Sequence, residues 1–355
     1  MVADGATPWF RDWFEIGGRR VGPGEPAYVI AEAGANHNRD LRLAKELIDA
    51  AAEAGADAVK FQTYTGALYS KQAPRFKYLN DPRSPSELLE AISLPRDWHS
   101  QLADHAASNA IAFFSTPFDH DAVDSLAAVG VPAFKIASFE IVDLPLIRHA
   151  AAVGVPLILS TGMADFGEIE DALGAAKEAG NHEVALLRCA SLYPASPAIM
   201  NLRAMSTLRD AFDVPVGLSD HTTGLSIPAA AAALGANLIE KHFTLSRSLP
   251  GPDHPFALEP GELSALVVAV REVEASLGTG RLDGPSEAES QEMYGLARSS
   301  LHAATDIPAG TAVTRSMLTV KRPGFGIKPK HIDLVVGRVA RDDIAADTTI
   351  TWELI

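Results

Sequence analysis

Residues 237–254 read NLIEKHFTLSRSLPGPDH. Leu238 and Ile239 begin like a buried strand; then Glu240, Lys241 and His242 stand where the apolar run should continue, and Asp253 and His254 close the stretch. Acid, base and imidazole at the end of an apolar strand carry meaning only if the pattern recurs, and it does. Seven further short runs rich in Val, Ile, Leu and Phe precede this one: YVIAEAG from 28, AVKFQT from 58, AFFSTPF from 112, AFKIASFE from 133, PLILSTG from 156, VALLRCAS from 184 and VPVGLSD from 214. Helical patterns separate them. In LRLAKELIDAAAEAG, Ala44, Leu47, Ile48 and Ala51 fall on one helix face, and Gly55 suits the C-terminal stop. Runs apolar on both faces, alternating with helices, predict a parallel sheet covered on both sides. Eight such units over about 250 residues predict a (β/α)8 barrel, the TIM-barrel architecture. The competitor is an open doubly wound sheet, but AEAGANHN stands where a G-x-G-x-x-G turn would follow its first strand.

Nearly every run ends in polar residues. They are Glu32; Lys60, Gln62 and Thr63; Ser115 and Thr116; Lys135, Ser138 and Glu140; Ser160 and Thr161; Arg188, Ser191 and Tyr193; Ser219, Asp220 and His221; and Glu240 to His242. In a barrel these ends converge on one face, where the active sites of this fold sit. One polar strand end is ordinarily the start of a solvated loop. That explanation is weaker for Lys60, Lys135 and Lys241, each inside an otherwise apolar strand, because lysine is rarely buried unpaired. Three cations at a barrel mouth predict an anionic ligand, phosphate or carboxylate. His221 and His242 lie on adjacent strands, near enough to share a divalent ion, with Asp253 as a third ligand or as a partner of bound water. Spacing alone leaves a metal pair and a hydrogen-bonded structural pair equally open.

The 355 residues are 47% hydrophobic and 21% charged, ordinary for a globular protein, and long enough for one large domain and a small one. The net charge of −15 disfavours nonspecific binding to nucleic acid or an anionic membrane. No apolar stretch approaches the roughly 18 residues of a spanning helix. MVADGATPWFRDWFEIGG lacks a basic segment followed by an apolar one, so no secretory signal is expected, and the cytoplasm is the default. The single cysteine, Cys189, lies in an apolar run; it reads as a buried core thiol in a reducing compartment.

FEIGGRRVG reads as a hairpin turning at Gly17-Gly18, suited to plug the lower mouth of the barrel. The expected domains are residues 1–280 for the barrel with its hairpin, a linker over 281–294 rich in Gly, Ser and acid, and a small β-rich domain over 295–355. Within the last, DIPAGTAVT and DIAADTTIT echo each other faintly. The basic cluster Lys321, Arg322, Lys328 and Lys330 reads either as a solvated loop or as an arm reaching an anionic or polar ligand, also across a subunit boundary.

The chain resembles the sialic acid synthase family, N-acetylneuraminate synthase and related nonulosonate synthases, over nearly its whole length. The matching stretches are IAEAGANHN, GADAVKFQT, FFSTPFD, FKIASFE, ILSTGM, SLYPA, GLSDHTTG, IEKHFTLSRSLPGPDH and MLTVKRPGFGIKP. The resemblance implies a (β/α)8 barrel followed by an antifreeze-like (SAF) domain, in a domain-swapped homodimer. It implies condensation of phosphoenolpyruvate with an N-acylated mannosamine-type aldose, releasing phosphate, and a divalent metal: Mn²⁺ first, with Mg²⁺ or Co²⁺ open. On this likeness His221 and His242 hold the metal with Asp253 nearby. Lys60, Lys135, Thr116, Ser138, Ser160, Ser191, Tyr193 and Ser219 surround the substrates. Glu32 orients reacting groups or handles a proton, Glu140 binds sugar hydroxyls, and Arg322 reaches the N-acyl group from the other subunit. The chain departs from the family at Ser191, often Asn; at Arg39, usually Gly; and at Arg298-Ser299-Ser300, commonly Arg-Arg-Ser. The alternatives are a Schiff-base aldolase using Lys135 or Lys241, and a catalytically silent sugar- or phosphate-binding protein.

Overall fold

Every one of the eight apolar runs forms a strand, and the reason is the one the pattern gives: β-branched and aromatic residues buried on both faces. The structure, a computed structural model, describes residues 9–76, 81–291 and 293–355. Residues 1–8, part of the stretch read for a secretion signal, lie outside these. A hairpin of β1 (Phe14–Ile16) and β2 (Arg19–Val21) comes first, turning at Gly17 and Gly18, both at positive φ, as expected. The eight parallel strands follow: β3 (Tyr28–Gly34), β4 (Ala58–Thr63), β5 (Ala112–Pro117), β6 (Phe134–Ile136), β7 (Leu157–Ser160), β8 (Val184–Cys189), β9 (Val216–Asp220) and β10 (Leu238–His242). Helices α1 (Leu41–Glu53), α2 (Pro85–Ile92), α3 (His99–Ser108), α4 (His120–Ala128), α5 (Leu144–Ala152), α6 (Phe166–Glu178), α7 (Ala204–Phe212), α8 (Ser226–Ala233) and α9 (Pro260–Leu277) lie between and after them.

The strands run in the order β5-β4-β3-β10-β9-β8-β7-β6, so the last strand pairs with the first and the sheet curls round. β5 and β6 lie side by side without a ladder, and the barrel is nearly closed. Its base is tied by charge. Asp57 accepts the Val29 amide at 2.7 Å and pairs with Arg19 of the hairpin and Arg271 of α9. Phe14, Ile16 and Val21 are buried in the barrel core, so the hairpin is part of that core.

The chain divides into two units, Met1–Gly278 and Thr279–Ile355, each with its own apolar core. In the stretch expected as a linker, Ser286 and Glu289 form a reciprocal capping box that opens a short helix, α10 (Glu287–Gln291), followed by α11 (Met293–Ala297). In the second unit β11 (Ser300–Ala303) pairs antiparallel with β12 (Leu318–Lys321). The echoed segments meet each other: Ile307 and Ile344 exchange backbone hydrogen bonds. Asp306 accepts the Ala346 amide while Asp343 accepts that of Ala309. The faint repeat is thus a local two-fold in the backbone. Among the described residues no helix is long and apolar enough to cross a membrane.

Candidate active site

Strand alternation decides which polar residues meet, because residues two apart share a face. Lys60 and Gln62 on β4, Glu240 and His242 on β10, and Ser219 with His221 at the end of β9 turn toward one mouth. So do Glu32 on β3 and Lys135 on β6. The register sets Glu32 beside Lys60 on one side and beside His242 on the other, and Glu240 beside Ser219.

The result is an alternating array of buried charge. Lys60 Nζ lies 2.6 Å from Glu32 Oε2 and 3.7 Å from Glu240 Oε1, and donates to Thr116 Oγ1 at 3.1 Å. Lys135 Nζ is 4.0 Å from the same Glu240 oxygen and donates to Ser160 Oγ at 2.7 Å. Ser219 Oγ donates to Glu240 Oε1 at 3.1 Å, and Gln62 Nε2 to Glu32 Oε1 at 2.7 Å. Glu240 Oε2 finds no hydrogen-bond partner among the described residues. The environment divides the two acids. Burial pushes Glu32 up to about 7, which Lys60 offsets only in part. Burial also works to raise Glu240, but Lys135 and Lys60 outweigh it and hold it low. On Lys60 the burial effect is likewise overcome by Glu240 and Glu32, and the net shift is upward; on Lys135 burial wins and the shift is downward.

The two histidines meet as expected, with ring centroids 5.4 Å apart. His221 donates from Nδ1 to the Ala190 carbonyl at 2.7 Å, which leaves the Nε2 lone pair free of that bond. His242 Nδ1 is buried with no hydrogen-bond partner among the described residues, and Asp253 Oδ2 stands 3.9 Å from it. Burial lowers both imidazole pKa values, so both rings are neutral donors at pH 7. Asp253 is pushed up to about 6 by burial. No group of three or more His, Cys, Asp or Glu among the described residues is set to hold a metal. Two neutral imidazoles, one orphaned and one braced by a carbonyl, fit a divalent ion that takes its other ligands from water and substrate.

Around this centre, Ser138 and Ser191 share a hydrogen bond at 2.7 Å, and the Tyr193 ring lies 4.2 Å from His221 and 5.8 Å from His242. Glu140 is pushed up to about 7 by burial, and its Oε2 has no partner among the described residues. Two glycines make room. Gly34, at positive φ, would carry a Cβ 3.2 Å from Asp253 Oδ2 and 3.4 Å from Glu32 Oε1. A Cβ on Gly162 would stand 2.3 Å from Ser191 Oγ.

Two expectations need revision. Lys241 is no mouth cation: opposite in parity to Glu240 and His242, it faces out of the barrel and is buried against Asp220. Glu240 and Gln62, expected among the polar strand ends but given no role there, bond directly to the charged array: Glu240 stands between the two lysines and Gln62 donates to Glu32. Arg322 lies exposed in the second unit, ahead of Pro323.

Together these features define a (β/α)8 barrel with a charged, histidine-bearing mouth, followed by a second unit with its own core. A model described as the NeuB family matches residues 47–282, and one described as the SAF domain matches residues 298–355. The N,N'-diacetyllegionaminic acid synthase of Legionella pneumophila is 43% identical, covering 92% of this chain and 94% of its own. The pseudaminic acid synthase of Helicobacter pylori is 38% identical, covering 92% and 97%. Among solved structures, the N-acetylneuraminic acid synthetase of Leptospira borgpetersenii, in complex with citrate, superposes with a TM-score of 0.70 at 36% identity, over 79% of this chain and 95% of its own. The chain belongs to the NeuB family, whose relatives here are synthases of the sialic acid type.

Proposed function

We propose that the barrel mouth condenses phosphoenolpyruvate with an N-acylated mannosamine-type aldose, giving a nine-carbon 2-keto acid and phosphate. The observation that carries this is the pair of buried lysines on either side of Glu240, beside two neutral imidazoles. Phosphoenolpyruvate is a small polyanion, and Lys60 and Lys135, with Thr116, Ser160, Ser138 and Ser191 around them, are the groups that would grip its phosphate and carboxylate. Glu240 holds both ammonium groups in place until the substrate arrives.

In the reaction the methylene carbon of phosphoenolpyruvate bonds to the aldehyde carbon, and the aldehyde oxygen takes a proton to become a hydroxyl. Water adds at the enol carbon and gives up a proton; as the bond between that carbon and the phosphate oxygen breaks, the new hydroxyl passes its proton to the leaving phosphate, and the 2-keto acid remains. Glu32, its carboxyl pushed up to about 7 and 2.6 Å from Lys60, would take and return that proton. Asp253 is a second acid of suitable pKa. His221 and His242 would hold a divalent ion, Mn²⁺ by the family likeness, which when bound supplies Lewis-acid polarisation of the aldehyde. Glu140, its carboxyl pushed up by burial, would hydrogen-bond sugar hydroxyls, and Tyr193 would close over the histidines.

The sugar we favour is an unphosphorylated diacetamido aldose of the legionaminate type, on the identity to the Legionella relative. We place the protein in the cytoplasm as a homodimer in which Arg322 of one subunit serves the other's mouth. Phe139, Met163 and Leu192 support a covering partner: all three are exposed apolar side chains on loops after β6, β7 and β8. The test is phosphate release from phosphoenolpyruvate with a panel of aldoses, on wild type and His242→Ala. The wild type should release phosphate only when an N-acyl aldose is added, and the folded variant should not. Near wild-type turnover by His242→Ala with the metal chelated would falsify the role of the histidines. Borohydride trapping of Lys135 with substrate would instead favour the aldolase.

A further inference from the structure

We propose that the buried Lys241–Asp220 pair is a positioning device that sets the spacing of the two imidazoles. This rests on the reading above that His221 and His242 hold a divalent ion. Asp220, the last residue of β9, immediately precedes His221, and Lys241 immediately precedes His242 on β10. The register pairs Lys241 with Asp220 directly. Alternation turns the ion pair outward, and the next residue on each side, His221 just past the end of β9 and His242 at the end of β10, turns its imidazole inward.

The pair does more than neutralise itself. Lys241 Nζ donates to Asp220 Oδ2 at 2.6 Å and also to the Thr222 carbonyl. The same carboxylate accepts the Thr222 amide at 3.0 Å and its hydroxyl at 3.0 Å. The residues on either side of His221 are thus fastened to each other, and both are fastened to the residue before His242. His221 is held further at its own atoms: Nδ1 donates to the Ala190 carbonyl, and its carbonyl accepts the Ala195 amide at 2.8 Å. One ammonium group joins the backbone carriers of both rings.

Thermodynamics makes the arrangement informative. Asp220 and Lys241 are 1% and 2% exposed. A fully buried ion pair is seldom more stabilising than well-packed apolar residues of the same volume. Its presence behind the two rings is better explained by geometry than by stability. Lys241 is also unsuited to chemistry, since its ammonium faces away from the mouth and is engaged by two acceptors. It is a positioning residue, and Asp220 with it.

The test uses the full-length Asp220→Asn/Lys241→Met double variant, which removes both charges together and leaves neither stranded. Lys241→Arg, which keeps the charge but shifts it, serves as the second variant should the first fail to fold. Two readouts are taken on metal-free protein. Mn²⁺ titration followed by electron paramagnetic resonance should show affinity about 10–100-fold weaker than wild type, the usual effect of disturbing groups behind metal ligands. Proton–nitrogen correlation spectra of the histidine rings should show His221 as the Nδ1–H tautomer in the wild type and a changed tautomer balance in the variants. Folded variants with wild-type Mn²⁺ affinity and unchanged ring spectra overturn the proposal. If the wild type binds no Mn²⁺, or His221→Ala binds it as well as the wild type, the metal reading falls. The ring spectra then decide alone: a changed balance sustains the positioning role and an unchanged one ends it.

Discussion

At the scale of the residue, the site works by separating like groups through their surroundings. Glu32 and Glu240 are both buried acids near Lys60, yet burial, with the charge of Glu240, pushes one up to about 7, while two ammonium groups within 4.0 Å, Lys135 and Lys60, hold the other low. Lys60 is the hinge of this arrangement. Lys60→Met would remove the ammonium between Glu32 and Glu240 in a dry site, and should lower stability by about 3–5 kcal/mol, the cost of breaking a buried pair by removing one partner. Chemical denaturation at pH 7 measures it; an unchanged midpoint would show that the array is not coupled. Gly162→Ala is a finer probe. Its Cβ would overlap Ser191 Oγ and stand 2.7 Å from Cys189 Sγ, so Ser191 must leave Ser138. The expected outcome is a rise of at least about tenfold in KM for phosphoenolpyruvate with a loss of stability near 1–3 kcal/mol; a normal KM would remove the serine pair from the substrate's contacts. Lys60 and Lys135 were legible because a lysine inside an apolar strand stands out. Lys241 stood out equally and misled, since Glu240, Lys241 and His242 are consecutive and sequence alone does not say which parity faces the lumen. The same ambiguity left Glu240 without a role of its own among the three.

At the scale of the element, eight strands were legible because parallel strands buried on both faces are apolar throughout, and the glycine stops mark where each helix yields to the next strand. The missing ladder between β5 and β6 was not, because register depends on partners distant in sequence. Two histidines in the connecting elements give the fold a testable acid response. His37, in the loop after β3, accepts the Arg39 amide at 3.0 Å, and His99, which opens α3, is 3.1 Å from Thr63 Oγ1. Burial, the largest influence on each, lowers both to about 4. Between pH 6.5 and 4 the unfolded chain then binds more protons than the folded one at these positions. Their contribution to stability is complete above about pH 6.5 and is lost as the pH falls toward 4. Glu32 and Glu140, raised to about 7, act in the opposite sense over an overlapping window. The comparison is therefore between wild type and His37→Asn/His99→Asn. The double variant, weaker at pH 7, should lose less stability between pH 7 and pH 5; parallel losses would show that the two rings do not titrate with folding.

At the scale of the whole molecule, the chain is two cores on one thread, and the sequence shows this as a change of texture near residue 280. A contact between copies leaves no periodicity in the sequence of either, so the proposed exchange between subunits is legible only through the family likeness. The proposed exchange between subunits makes a sharp prediction through symmetry. His242→Ala disables a barrel but leaves its second unit whole; Arg322→Ala does the reverse. Each variant alone should be inactive or nearly so. If Arg322 acts across the dimer, a heterodimer holds one intact site, made from the barrel of the Arg322→Ala copy and the second unit of the His242→Ala copy. Random pairing makes half the dimers mixed, each with one of its two sites complete, so an equal mixture refolded together should recover about a quarter of wild-type phosphate release. If Arg322 serves its own barrel, each copy in the mixture carries its defect in its only site, and refolding together recovers nothing. Sedimentation on the same samples confirms that the mixed species is a dimer, so that recovery can be assigned to exchange between subunits.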